Sequence, residues 1–267
     1  MTCLSESTLT PKDLLVFEAF AERIAREAGR ITLEFFRGDF HVETKADHSP
    51  VTIADRSAEE ALRTQIEQEF PEHGILGEEF GETRPGAEYR WVLDPIDGTR
   101  AFVAGVPQYT VLVALEHERR SLVGAIYNPG LDRMLLASRG NGTRLNGSPV
   151  RVSSTPTLSS ATVLCSSYSW LFHEHPERTS RLLGMCRYAP GWGDGFGYML
   201  VAEGKADVML DWGWNVWDAA PVQVCIEEAG GVFTDWEGSP TIHGKSGLAA
   251  NPTLHREVLR ILGGTAS

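Results

Sequence analysis

Leu14, Phe17, Phe20, Ile24, Ala28, Ile31 and Phe35 recur at steps of three or four residues, the period of one apolar helix face. Just upstream, Thr10-Pro11-Lys12-Asp13 has the make-up of a helix start: a capping hydroxyl, a proline at the first position and an acid in the first turn. The spacing predicts a long helix that Gly38 ends. Residues 39–51 are polar, carry Lys45, Asp47 and Pro50, and read as a loop. The helical period returns at Ala58, Leu62, Ile66 and Phe70, which predicts a second helix over 54–70, stopped by Pro71.

The pattern then shortens to strand-length apolar runs. Ile75-Leu76 leads into Gly77-Glu78-Glu79, and runs at 90–93, 110–115, 122–127 and 134–137 follow, separated by turn-rich gaps. Asn141-Gly142 and Asn146-Gly147 are hairpin signals. Strands joined by short links predict an antiparallel sheet. Beyond about residue 155 strands at 162–165, 206–210 and 232–233 alternate with helices at 176–187, 196–203, 218–229 and 252–262. Such alternation belongs to an α/β unit. The expected architecture is an α+β half over 1–155 followed by an α/β half over 156–267. No internal repeat or low-complexity linker separates them, so the halves are expected to pack closely.

Composition narrows the function. The 267 residues, 42% hydrophobic and 22% charged, suit one large domain or two small ones with a shared core. A net charge of -12 argues against a nucleic-acid binder, which needs a basic face. A small anionic substrate stays open, provided that metal cations invert the local field. Cys3, Cys165, Cys186 and Cys225 show no CxxC spacing, so they read as reduced thiols of a cytoplasmic protein rather than a zinc ribbon or redox pair. The N-terminus lacks a basic region followed by an apolar run, and no stretch of about 18 apolar residues predicts a membrane span.

Six acids stand where regular elements begin or end: Asp55, Glu78, Glu79, Asp94, Asp97 and Asp218. Asp55 opens the second helix, Glu78 follows a strand, Asp94 ends the next one, and Asp218 opens a helix. Side chains at such ends can converge on one cleft. Carboxylates without a His or Cys set fit Mg²⁺ or Mn²⁺ better than Zn²⁺. Alone, Asp55 or Asp218 would be an ordinary helix cap, and Glu78 a solvated loop acid. Trp91-Val92-Leu93-Asp94-Pro95-Ile96-Asp97-Gly98-Thr99 is more than a turn, because two acids at the end of an apolar strand are costly unless something pairs with them. Asp94 could bridge two cations that clamp the oxygens of a phosphoryl transfer, and the Gly98-Thr99 amides could bind phosphate oxygens. The Asp-x-Asp-Gly-Thr motif of haloacid-dehalogenase phosphatases is a poor match, since Pro95 and Ile96 add a residue between the acids. His173-x-His175 reads as an exposed pair.

The stretch 91–99 resembles the first signature of the inositol monophosphatase family. Gly77-Glu78-Glu79 is similar to its upstream acidic element, Pro50–Asp55 to its water-activating segment, and Trp217-Asp218 through Gly230-Gly231 to its second signature. The resemblance covers about 12–262. It implies a layered α-β-α-β-α sandwich and Mg²⁺-dependent hydrolysis of a small phosphate monoester, with two or three Mg²⁺ per site and Mn²⁺ as an alternative. Carried over by position, Glu78, Asp94 and the Ile96 carbonyl would hold one metal, and Asp94, Asp97 and Asp218 the second. A third would sit near Glu78 through waters. Asp55 and Thr99 would orient and deprotonate the attacking water, with Glu78 assisting and no phosphoenzyme formed. Asp97, Gly98 and Thr99 would face the phosphate. A homodimer is also implied. One departure from the signature is Pro221, three past Asp218; within a first helical turn its missing amide hydrogen is tolerated.

Ser49–Arg56, His73–Glu79 and Gly193-Asp194-Gly195-Phe196-Gly197-Tyr198 resemble the histidinol-phosphate phosphatase branch, with Gly195 in place of a cysteine and Phe196 of a tyrosine. Asp194 and Asp211 would then meet the ammonium and imidazole of histidinol phosphate. The alternatives are inositol-1-phosphate or another sugar or polyol phosphate. Further off stand a bisphosphate nucleotidase or fructose bisphosphatase relative, and a non-catalytic binding protein on the same scaffold.

Overall fold

The computed structural model describes residues 9–38, 42–44 and 50–263. Helix α1 spans Pro11–Phe35 and opens on a capping box in which Thr10 and Asp13 satisfy each other's backbone. A short antiparallel pair follows, β1 (Val42–Thr44) and β2 (Pro50–Thr52), where the sequence predicts only a loop. Three-residue strands carry too little pattern to be read. Lys45 and Asp47 lie outside the described residues. Helix α2 is Ile53–Glu69.

Eight strands form the large sheet: β3 (Gly74–Gly77), β4 (Gly81–Thr83), β5 (Tyr89–Asp97), β6 (Thr110–His117), β7 (Arg120–Asn128), β8 (Arg133–Ser138), β9 (Thr143–Leu145) and β10 (Ser148–Pro149). Their order is β10-β9-β8-β7-β6-β5-β3-β4, antiparallel except for the β3–β5 pair. Alternation along β6 sets the two faces. Val111, Val113 and Leu115 meet α1 and α2, while Leu112 and Ala114 point the other way. Each fully buried residue of this kind contributes about 1.5–3 kcal/mol over exposure.

The opposite face is covered by α6 (Asp194–Ala202) and α7 (Val216–Glu228), which also pack on a second sheet. That sheet holds β11 (Val163–Leu164), β12 (Val208–Trp212), β13 (Val232–Thr234) and β14 (Ser246–Ala250) in the order β11-β12-β14-β13. It is mixed, since β11–β12 is parallel and the other pairs are antiparallel. Its outer face packs on α4 (Tyr168–Glu174), α5 (Pro176–Met185) and α8 (Pro252–Leu262). The layers therefore run helix, sheet, helix, sheet, helix, the expected sandwich, with the middle core drawing on both sides of residue 155.

Two sequence readings change. Asp94 does not end its strand, because β5 continues through Pro95 and Ile96 to Asp97. Helix α7 starts at Val216, so Pro221 is its sixth residue and lies beyond the first turn. Its tight seat there is against β7, where a Cβ on Gly124 would come within 2.6 Å of the Pro221 carbonyl.

Candidate active site

In a regular strand, residues three apart point to opposite faces. Strand β5 avoids this between Asp94 and Asp97. Asp94 pairs with Leu112 and Asp97 with Thr110, and the register shifts between them. Such a bulge re-aims side chains, and Pro95 is at home in it because the ladder is interrupted. The Ile96 amide turns inward and donates to Asp94 Oδ1 at 3.0 Å, while the Ile96 side chain packs with Ala54, Phe102 and Tyr109. Both aspartates consequently reach Asp218: one carboxylate oxygen from each of Asp94, Asp97 and Asp218 lies within 4.8 Å of the others.

Asp218 is fixed from the start of α7, where its Oδ2 accepts the Asn215 amide at 2.7 Å. Asp55 is held the same way at the start of α2, its Oδ2 accepting the Thr52 amide at 2.8 Å and hydroxyl at 2.6 Å. The N-caps are Thr52 and Asn215, not the acids; Asp55 and Asp218 stand at the third helical position and complete capping boxes, and for Asp218 this also delivers a carboxylate into the cluster. Asp97 Oδ2 accepts the Thr110 hydroxyl at 2.8 Å and the Gly195 amide at 2.5 Å. Gly195 has room for nothing larger, since a Cβ there would lie 2.8 Å from Asp97 Oδ2.

The electrostatics are one-signed. Burial pushes the Asp94 carboxyl well above the usual range, and Glu78, Asp97 and Asp218 add to the rise. Asp97 rises for the same reason, with Asp194 and Asp218 contributing. Asp218 is pushed up to about 7, chiefly by burial and further by Glu78. Asp55 is raised by burial and by Glu78, against its bonds to Thr52. Three neighbouring carboxylates, Asp94, Asp97 and Asp218, with no His or Cys in the group, are a donor set that fits a hard cation. The Ile96 carbonyl accepts the Thr99 hydroxyl at 3.0 Å and keeps a second lone pair.

Gly98 precedes helix α3 (Thr99–Val103) in the left-handed region, at φ 83°. Side chains other than glycine's are disfavoured there, and a Cβ would also come within 3.0 Å of Asp194 Oδ2. That contact sets Asp194 at the border between the acid cluster and a cavity of about 210 Å³, lined by Asp97, Ser166, Asp194, Tyr198, Asp211 and Trp214 among others. Ser166 organises its acids. Its amide donates to Asp211 at 2.9 Å, and its hydroxyl accepts the Asp194 amide at 2.8 Å. Asp211 is buried and pushed up to about 7 by that burial. Asp194 is raised by burial, against Ser166 and the nearby Arg100.

Of the acids singled out in the sequence, Asp97, Asp194, Asp211 and Asp218 line the cavity, Asp94 joins Asp97 and Asp218 in the cluster, and the Glu78 charge acts on Asp94, Asp218 and Asp55. His173 and His175 belong to neither the cavity lining nor the cluster; His175 packs on Trp212 and Trp236. Ser166, Thr110 and Trp214 carried no signal in the sequence. Tyr198 closes the Gly-Asp-Gly-Phe-Gly-Tyr motif, yet nothing in the motif says that its hydroxyl is buried in the cavity.

The layered sandwich, with an oxygen-donor cluster at a strand bulge beside a small polar cavity, is that of a phosphoric monoester hydrolase, as the relatives of this chain indicate. Residues 13–263 match the inositol monophosphatase family, and the chain belongs to it. That family is metal-dependent. The chain is 42% identical to the histidinol-phosphatase of Chlorobaculum parvum, covering 91% of this chain and 95% of that one. It is 38% identical to the histidinol-phosphatase of Mycobacterium tuberculosis, over 92% and 96% of the two chains. An inositol monophosphatase structure from Zymomonas mobilis superposes with a TM-score of 0.85 at 35% identity, covering 94% and 98%.

Proposed function

We propose that this chain is a Mg²⁺-dependent phosphatase acting on L-histidinol phosphate. The observation that carries the reading is the pair of acids, buried Asp211 and half-buried Asp194, in the cavity next to the cluster. Full-length similarity to two proteins named histidinol-phosphatase supports it. Glu78, Asp94 and the Ile96 carbonyl would hold one cation, and Asp94, Asp97 and Asp218 a second, with Mn²⁺ as a substitute and a third ion near Glu78. Bound cations supply a lowered water pKa and neutralise developing charge. The residues do the rest. Asp55 and Thr99 orient the attacking water and take its proton, assisted by Glu78. Gly98, Thr99 and Asp97 border the phosphate. Water attacks phosphorus in line and the alcohol leaves, with no side chain phosphorylated.

Asp194 and Asp211 give the ammonium and imidazole of the leaving group charge-assisted acceptors. In this reading 1–155 supplies most of the acid cluster, and 156–267 adds Asp218 and the substrate pocket. We also propose a cytoplasmic homodimer. The test is phosphate release from histidinol phosphate, inositol-1-phosphate and fructose-1,6-bisphosphate, with and without Mg²⁺. Histidinol phosphate with Mg²⁺ should be fastest. Preference for inositol-1-phosphate would overturn the substrate, and no release from any of them would overturn the activity.

A further inference from the structure

Helix α2 carries a second acid one turn beyond Asp55. Glu59 is 0% exposed and shares a helix face with Asp55, four residues earlier. Its Oε2 accepts the Glu79 amide at 2.8 Å, and its Oε1 accepts the Phe80 amide at 3.2 Å. Arg63, one turn further, donates to Glu59 at 2.8 Å. The same guanidinium donates to the Thr83 hydroxyl at 2.8 Å and to the Gly81 carbonyl at 2.5 Å. A carboxylate and a guanidinium thus grip the chain from Glu79 to Thr83, while the Glu78 amide donates to the Leu93 carbonyl of β5 at 3.2 Å. The approach is so close that a Cβ at Gly77 would run into the Glu59 carboxylate.

Burying an ion pair is costly and is rarely favoured for stability alone. Here the gripped element is an edge strand, β4, exposed along its length, so it adds little core of its own. What the turn does carry is Glu78. The Glu78 charge acts unfavourably on both Asp94 and Asp55, and an unrestrained turn would relieve that repulsion by moving outward. We propose that Glu59 and Arg63 are positioning residues that hold the Glu78 turn against Asp94, so that the carboxylate stands in place before a divalent cation binds. The inference rests on the reading of Glu78 as a cation ligand.

The test is a double-mutant cycle read by calorimetric titration with Mg²⁺ alone, on Glu59→Gln, Glu78→Gln and the double variant. Glu59→Gln should weaken Mg²⁺ binding by about tenfold or more, the usual effect of removing a ligand's support. The KM for histidinol phosphate should stay near the wild-type value, and amide exchange at Glu79 and Phe80 should quicken. In the Glu78→Gln background, Glu59→Gln should cost nothing further, because its effect passes through Glu78. Unchanged Mg²⁺ affinity in Glu59→Gln, or an equal loss in both backgrounds, would overturn the proposal. If Glu78→Gln itself leaves Mg²⁺ affinity unchanged, the ligand assignment fails instead. Should Glu59→Gln not fold, Arg63→Lys, which keeps the charge and loses the fork to Gly81 and Thr83, is judged by the same criteria.

Discussion

Asp94 and Asp211 are both buried acids of one cleft, and they differ in how many like charges crowd them. Every charge that acts on Asp94 is another acid, and its bond from the Ile96 amide leaves that repulsion standing. Asp211 is also raised chiefly by burial and further by one acid, Asp194, but its bonds to Ser166 oppose that rise, and Asp194 itself has Ser166 and Arg100 beside it. The cluster around Asp94 thus has an electrostatic deficit that a bound cation would offset. The pair around Asp211 is already organised by the protein and suits hydrogen bonds to an organic group. The difference teaches that shared acidity in one cleft need not mean shared chemistry; the partners of each carboxylate separate the proposed metal end from the proposed leaving-group end.

The sharpest break of that comparison is Asp94→Asn. Turnover should fall on the order of 10³-fold, the scale of losing a main electrostatic contact to the reacting group. The metal-free variant should nonetheless melt higher than metal-free wild type, by about 2–4 °C per kcal/mol of repulsion removed. Full activity, or a lower melting point, would argue against a strained cluster.

A second effect concerns pH. The folded-state pKa of Asp211, about 7, lies above the ordinary carboxyl value of 3.8. Between those values the folded protein holds more protons than the unfolded one, so stability from this group rises as pH falls and is lost as pH climbs through 7. Urea unfolding of the metal-free protein should show stability rising from pH 8 to 5, with Asp211 contributing on the order of 2–3 kcal/mol of the gain, so that the rise is smaller in Asp211→Asn. An unchanged slope in that variant would remove Asp211 from the account.

The smallest effect is on selectivity. Asp211→Asn should narrow the kcat/KM preference for histidinol phosphate over inositol-1-phosphate by about tenfold, equivalent to one weakened charge-assisted bond. Equal losses on both substrates would place Asp211 with the metal end.

Elements with local punctuation were legible in the sequence. The last helix was expected over 252–262 and spans Pro252–Leu262, because Pro252 opens it and Gly263, at φ 84°, closes it. Strand β14, Ser246-Gly-Leu-Ala-Ala250, went unread because small residues give no strand signature, although every position is buried. Strand β4 has no apolar alternation at all, and α4 has only seven residues. Helix α6 begins at Asp194, two residues before the expected start, under the unusual φ of 55° at that residue.

The site divides along the same line. Asp94 and Asp97 stood out because their bulge is encoded within four consecutive residues. The supports of Asp97 come from Thr110 and Gly195, and those of Asp211 from the Ser166 amide, far along the chain. A backbone amide leaves no mark on residue type. Glu59 carries no mark in the sequence; its role follows from the Glu79 and Phe80 amides that the fold brings to it.

The central claim is that Asp94, Asp97 and Asp218 together hold a divalent cation. Crystals grown with Mn²⁺ and measured at its absorption edge test it most directly. The account predicts an anomalous peak bounded by those three carboxylates, at distances of about 2.0–2.4 Å from their oxygens. Crystals at saturating Mn²⁺ with no peak there, or with Mn²⁺ bound only elsewhere, would contradict it.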